Sequence, residues 1–109
     1  MEKLIAELNT LFPFKETTRE GDLVLIAAKE PPLLVYALVL GITRDETKRD
    51  EWWQINLQML TIPPQKAVWT LREPQFTGKE IFTMGGEARF VKALGFAEPQ
   101  KGGPPAQPG

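Results

Sequence analysis

Near the start of the chain the apolar positions recur with a helical period. Leu4, Ile5, Leu8, Leu11 and Phe12 fall on one stripe of a 3.6-residue repeat, which Pro13 stops. The spacing predicts an amphipathic helix over residues 2–12. At about eleven residues it is shorter than the ~12–15 at which an isolated helix is even marginal, so its stripe must dock on another apolar surface.

After Pro13 the pattern changes. Residues 23–28, 33–43, 52–62, 67–72 and 80–84 are rich in β-branched, aromatic and aliphatic side chains, and each run is bounded by turn or breaker residues such as Gly21-Asp22, Pro31-Pro32, Pro63-Pro64 and Pro74. Short strands this closely spaced predict consecutive antiparallel pairing. Gly85-Gly86 supplies the positive φ values of a tight turn, so residues 87–91 form a sixth strand in a hairpin that sets Ile81 across from Phe90. The competing reading makes residues 87–94 a short helix with Lys92 in its last turn and Gly95 as its cap.

The third of these strands alternates. Trp53, Ile55, Leu57 and Met59 occupy one face, and Trp52, Gln54, Asn56 and Gln58 the other, the pattern of a half-buried strand. In the second strand Leu34, Tyr36, Leu38, Leu40 and Ile42 are opposed by Leu33, Val35, Ala37 and Val39, so both faces are apolar. That predicts a cover on each side, from the N-terminal helix or from a second copy of the chain. Gly41 within the run marks a bulge or bend of the kind that curls a small sheet toward closure.

The run Gly21-Asp22-Leu23-Val24, followed by a loop, a long strand carrying Tyr36 and Ala37, a polar loop and a tryptophan-bearing strand, resembles the opening of SH3-like small barrels of the Tudor and KOW kind. The likeness spans residues 21–72. It implies a mainly β fold, either a small antiparallel SH3-like barrel or a curled sheet of five to six strands, with the N-terminal amphipathic helix added. Barrels of that kind use loop aromatics to grip peptides, modified side chains or RNA. Here the polar loop from Arg44 to Glu51 carries no aromatic residue, and fold alone does not confer function.

Composition narrows the chemistry. The 109 residues include no His, Cys or Ser, which removes serine and cysteine nucleophiles, imidazole bases, zinc sites built from thiolates or imidazoles, and disulfides. A pair of carboxylates remains a possible hydrolytic device, and Glu80 beside Ile81 is the nearest case, at a strand end. The acid-rich loop from Arg44 to Glu51 interleaves cations with its carboxylates and lacks the ligand spacing of a calcium loop, so it is expected to be a solvated connection. No catalytic, cofactor-binding or metal-binding residue is expected.

What is left is surface. The candidate binding face is Trp52, Gln54, Asn56 and Gln58, a flat aromatic set among amides. The favoured reading is a non-catalytic protein-interaction or self-association module, with a homodimer as one form. The alternative is a small barrel that binds single-stranded nucleic acid, and a carboxylate-based enzyme is third. With 13 Lys and Arg against 14 Asp and Glu the net charge is −1, a poor footprint for phosphate unless Lys48, Arg49, Arg72 and Arg89 converge in space. The N-terminal residues lack a cationic start and a continuous apolar run, and the longest apolar stretch, residues 33–42, is half of what a bilayer requires; a cytoplasmic, membrane-free protein is expected. Residues 97–109 hold four prolines and three glycines and are expected to be a disordered tail beyond a single domain at 1–96.

Overall fold

The computed structural model describes residues 1–96; the tail expected at 97–109 lies outside them. Helix α1 (Glu2–Leu11) is followed by strands β1 (Leu23–Ala28), β2 (Leu33–Arg44), β3 (Trp53–Met59) and β4 (Gln65–Leu71), a single helical turn α2 (Glu73–Phe76), and the hairpin β5 (Phe82–Met84) and β6 (Glu87–Ala93). The strands form one antiparallel sheet in the order β4-β3-β2-β1-β6-β5, curled into a half-barrel. The mainly β fold with an N-terminal helix is therefore the fold observed.

The concave side holds the larger core. Val24 and Ile26 of β1, Ala37 and Val39 of β2, Ile55 and Leu57 of β3, Leu71, Phe76, Phe82, Val91 and Ala93 are buried together there. Side chains bring the two ends of the sheet together: Trp69 of β4 meets Phe82 of β5 edge to face at 6.3 Å, and the Arg89 guanidinium lies 5.3 Å from the Trp69 ring centroid. Aromatic and cation–π contacts link these ends without any ladder between β4 and β5.

Outside, α1 lies on β1 and β6. Leu8 is buried against Leu25, Ala27 and Phe90, with Met1, Leu4, Ile5, Phe12 and Phe14 around them. β1 is thus covered on both faces, as its continuous apolar run requires. The two-sided apolar pattern of β2 predicts a cover over both faces, and here the structure differs: Leu34, Tyr36 and Leu40 remain exposed on its outer side. The reason is the tether. The Lys15 N–H donates to the Ala93 carbonyl at 3.0 Å and the Gly95 N–H to the Pro13 carbonyl at 2.6 Å, with Phe14 bridged to Leu94. These bonds hold the helix beside β6, and ten residues at a rise of ~1.5 Å each cannot also roof β2.

Gly41 sits at the expected irregularity. The β2–β3 register shifts between Val39 and Gly41, which turns Ile42 inward to face Ile55 instead of continuing the outer stripe. The Ile42 N–H at this bulge donates to Glu20 Oε2 at 2.9 Å. At the hairpin, Gly85 and Gly86 have φ of 63° and 83°, and Met84 pairs with Glu87. Residues 87–93 are a strand, so the helical alternative is set aside; the ladder ends at Phe82 with Arg89 and does not extend to Ile81 with Phe90. The third strand is shorter than residues 52–62 at both ends. β4 ends at Leu71, and the Arg72 N–H donates to Gln75 Oε1 at 3.0 Å at the start of the α2 turn, which contains Pro74 and which strand periodicity does not reveal.

Removing Leu8 opens a cavity between helix and sheet. Leu8→Ala is expected to lower unfolding free energy by about 2–5 kcal/mol in chemical denaturation, whereas Leu11→Ala, on the exposed side, is expected to stay within about 0.5 kcal/mol.

Candidate binding face

Because α1 is held over β1 and β6, the outer surface of β2, β3 and β4 carries no covering element among the described residues. The register defines its rows: Leu38 beside Gln58 beside Lys66, Gly41 beside Asn56 beside Val68, and Thr43 beside Gln54 beside Thr70. Gln54, Asn56 and Gln58 therefore form a central amide strip, each half-buried, as expected from the alternation of β3. Leu40, 49% exposed, and Val68, 55% exposed, flank the strip on its two sides.

Trp52 lies just before β3, and its backbone is fixed by bonds from its N–H to the Asp50 carbonyl at 3.0 Å and from the Asp45 N–H to its carbonyl at 2.9 Å. The Arg72 guanidinium stacks over its ring, 5.6 Å from the centroid. One side of the expected aromatic anchor is thus occupied by a cation of the same chain. Gln54 is also committed, its Nε2 donating to Asp45 Oδ2 at 3.0 Å. Among the described residues Trp52, Asn56 and Gln58 make no side-chain hydrogen bond, so Asn56 and Gln58 are the two unengaged amides of the expected set.

Asp45 organises the polar loop at this end. Its Oδ1 accepts from the Thr47 hydroxyl at 2.6 Å and from the Thr47 N–H at 3.0 Å, and its carboxylate is buried by these partners. The Thr47 hydroxyl, the Thr47 N–H and the Gln54 amide hold the Asp45 carboxyl below its usual value of 3.8, outweighing the opposing effect of burial. This is a structural role: the loop from Arg44 to Glu51 is clipped to β3 by one of its own carboxylates.

At the margin between α1 and β2 the same outer surface deepens into a cleft of about 290 Å³ lined by Phe12, Leu25, Leu34, Val35, Tyr36 and Leu60. Phe12 meets Tyr36 edge to face at 6.4 Å. These residues were not among the expected site. The apolar outer stripe of β2 was their signal, and its expected cover concealed them. A second cleft of about 200 Å³, lined by Thr18, Ile42, Trp53, Glu73 and Phe76, opens elsewhere, with Arg44 5.9 Å from the Trp53 ring centroid.

The cationic cluster required for phosphate does not assemble from its four members. Arg72 lies against Trp52 on the outer face, while Arg89 lies against Trp69 and pairs with Glu87 at 3.1 Å on the inner side. Among the described residues no group of three or more acidic side chains is placed to hold a metal ion, and no helix is long and apolar enough to cross a membrane. Comparison with family models, with characterised proteins and with solved structures returns no match to this chain.

The lowered Asp45 pKa fixes a pH dependence. Folding favours the carboxylate, so its contribution is present above 3.8 and is lost as pH falls through the lower native value. The stability gap between wild type and Asp45→Asn, followed by urea denaturation, is expected to be constant at neutral pH and to narrow as pH drops below 3.8.

Proposed function

We propose that this chain is a non-catalytic self-association module whose contact surface is the amide strip of β3 with Leu40 and Val68 on its flanks. The observation that carries this reading is the outer face of β2–β4, where exposed Leu40 and Val68 border Asn56 and Gln58, amides that make no side-chain hydrogen bond among the described residues. An amide both donates and accepts, so a row of them can pair with a copy of itself. A two-fold axis along β3 sets Asn56 over its symmetry mate and Leu40 over Val68 of the second copy, so each apolar flank meets the other. A net charge of −1 adds almost no repulsion between copies.

Chemistry supports recognition over turnover. The residue types that usually supply nucleophiles and general bases at neutral pH, His, Cys and Ser, are missing from the sequence. Binding of single-stranded nucleic acid is the competing outcome. It has Trp52, Arg72 and Lys66 on this face to draw on, and it would appear as oligonucleotide affinity that falls steeply with salt.

Sedimentation equilibrium of the full chain is expected to show a monomer–dimer equilibrium. Val68→Lys should raise the dissociation constant about tenfold or more while leaving the circular dichroism spectrum unchanged. A wild-type chain that stays monomeric at millimolar concentration overturns the proposal.

A further inference from the structure

The sheet ends in two edge strands, β4 and β5, and among the described residues no ladder joins them; Trp69 on Phe82 and the Arg89 guanidinium over Trp69 span the seam through side chains. We propose that this seam takes up an extended acidic segment of a partner protein, which pairs with β4 as an added strand. Hydrogen-bond parity shows which groups of β4 are free. The Leu60 N–H donates to the Tyr36 carbonyl and the Asp45 N–H to the Trp52 carbonyl, both at 2.9 Å, so at either end of β3 the even-numbered positions bond toward β2. Its odd-numbered residues, Trp53 to Met59, therefore bond toward β4 and engage Leu71, Trp69, Ala67 and Gln65. The N–H and carbonyl groups of Lys66, Val68 and Thr70 are left pointing out of the sheet, and no turn, loop or cap bond reaches them among the described residues.

The edge is an open template. β4 runs from Gln65 to Leu71 in unbroken register with β3, so no bulge twists it away, and the flanking Pro63, Pro64 and Pro74 lie outside the strand. An extended segment can therefore add to it by main-chain hydrogen bonds. Charge selects the partner. Residues 65–72 include Lys66 and Arg72 and no carboxylate, although the whole chain carries a net charge of −1. Lys66 lies in the outer row beside Gln58, and Arg72 lies against Trp52 at the other end of the outer face. A strand with carboxylates at its outward positions is attracted there, while a basic one is repelled. Its inward positions meet Ala67 and Trp69 at the margin of the core, a setting for β-branched side chains. Arg89 has a buried Nε–H without an acceptor among the described residues, and a carbonyl entering the seam can supply one. A second copy fits less well: its β4 brings β3 along on the far side, so the continued sheet runs into the space held by β5, whereas a lone segment needs only the seam.

Amide hydrogen exchange of the full chain, followed by NMR, tests this residue by residue. In the dilute free chain Lys66, Val68 and Thr70 are expected to exchange quickly, and Ala67, Trp69 and Leu71 slowly. A capped peptide that alternates valine and glutamate over the length of β4, added at millimolar concentration, is expected to slow the first three about tenfold or more. The same peptide with lysine in place of glutamate is expected to leave them unchanged. Lys66→Glu, at an exposed position, is expected to weaken the acidic peptide's effect while preserving the circular dichroism spectrum. Exchange that does not respond to the acidic peptide overturns the proposal, and so does equal protection by the basic one. Protection of the three amides without peptide also overturns it: where it grows with protein concentration the edge belongs to a second copy, and where it is present in the dilute chain the edge is filled by the chain's own residues. Each of these failures leaves the self-association through β3 standing, since its readout is the sedimentation of the Val68→Lys variant.

Discussion

The seam between Pro13–Lys15 and Ala93–Gly95 decides which face of the sheet is open. It consists of two backbone hydrogen bonds, which together make the Phe14–Leu94 bridge, and it pins the end of α1 to the end of β6. Each such bond contributes about 0.5–1.5 kcal/mol net, less than the roughly 2–5 kcal/mol associated with a buried leucine. Stability on that side therefore comes mainly from Leu8 on Leu25, Ala27 and Phe90, while the seam supplies position. A helix docked one strand further along could bury a similar stripe on Leu34, Tyr36 and Leu38. The seam excludes that arrangement, and the bare face and the cleft at its margin both follow.

Much of the architecture was legible because the local signals agree with one another. Proline pairs and glycine turns delimit the strands, the alternation of β3 separates Trp53, Ile55 and Leu57 from Gln54, Asn56 and Gln58, and Gly41 marks the bulge where the register shifts. Strand ends were less legible: Trp52 and residues 60–62 look like strand by composition, yet the ladder with β4 ends at Trp53 and Met59. α2 rests on a side-chain bond from Gln75 back to Arg72, an interaction with no periodic trace.

The cover expected over β2 failed for a tertiary reason. A two-sided apolar strand says that burial would be favourable, but it cannot say where a short helix is tethered, because that depends on contacts between residues about eighty positions apart. The candidate face was only partly legible for a similar cause. Its amides could be placed on one side of β3 from alternation alone. That Arg72 would occupy one side of Trp52, and that Asp45 would engage Gln54, depends on the packing of a loop against the strand. The face that remains combines unengaged amides with two flanking aliphatic side chains, and this combination makes it suited to meeting its own image.

Disulfide trapping examines that geometry most directly, because the chain contains no thiol of its own. A single cysteine at Asn56, on the proposed two-fold axis, should oxidise to a covalent dimer much faster than one at exposed Thr83 on β5. Equal rates at the two positions would contradict an interface centred on β3.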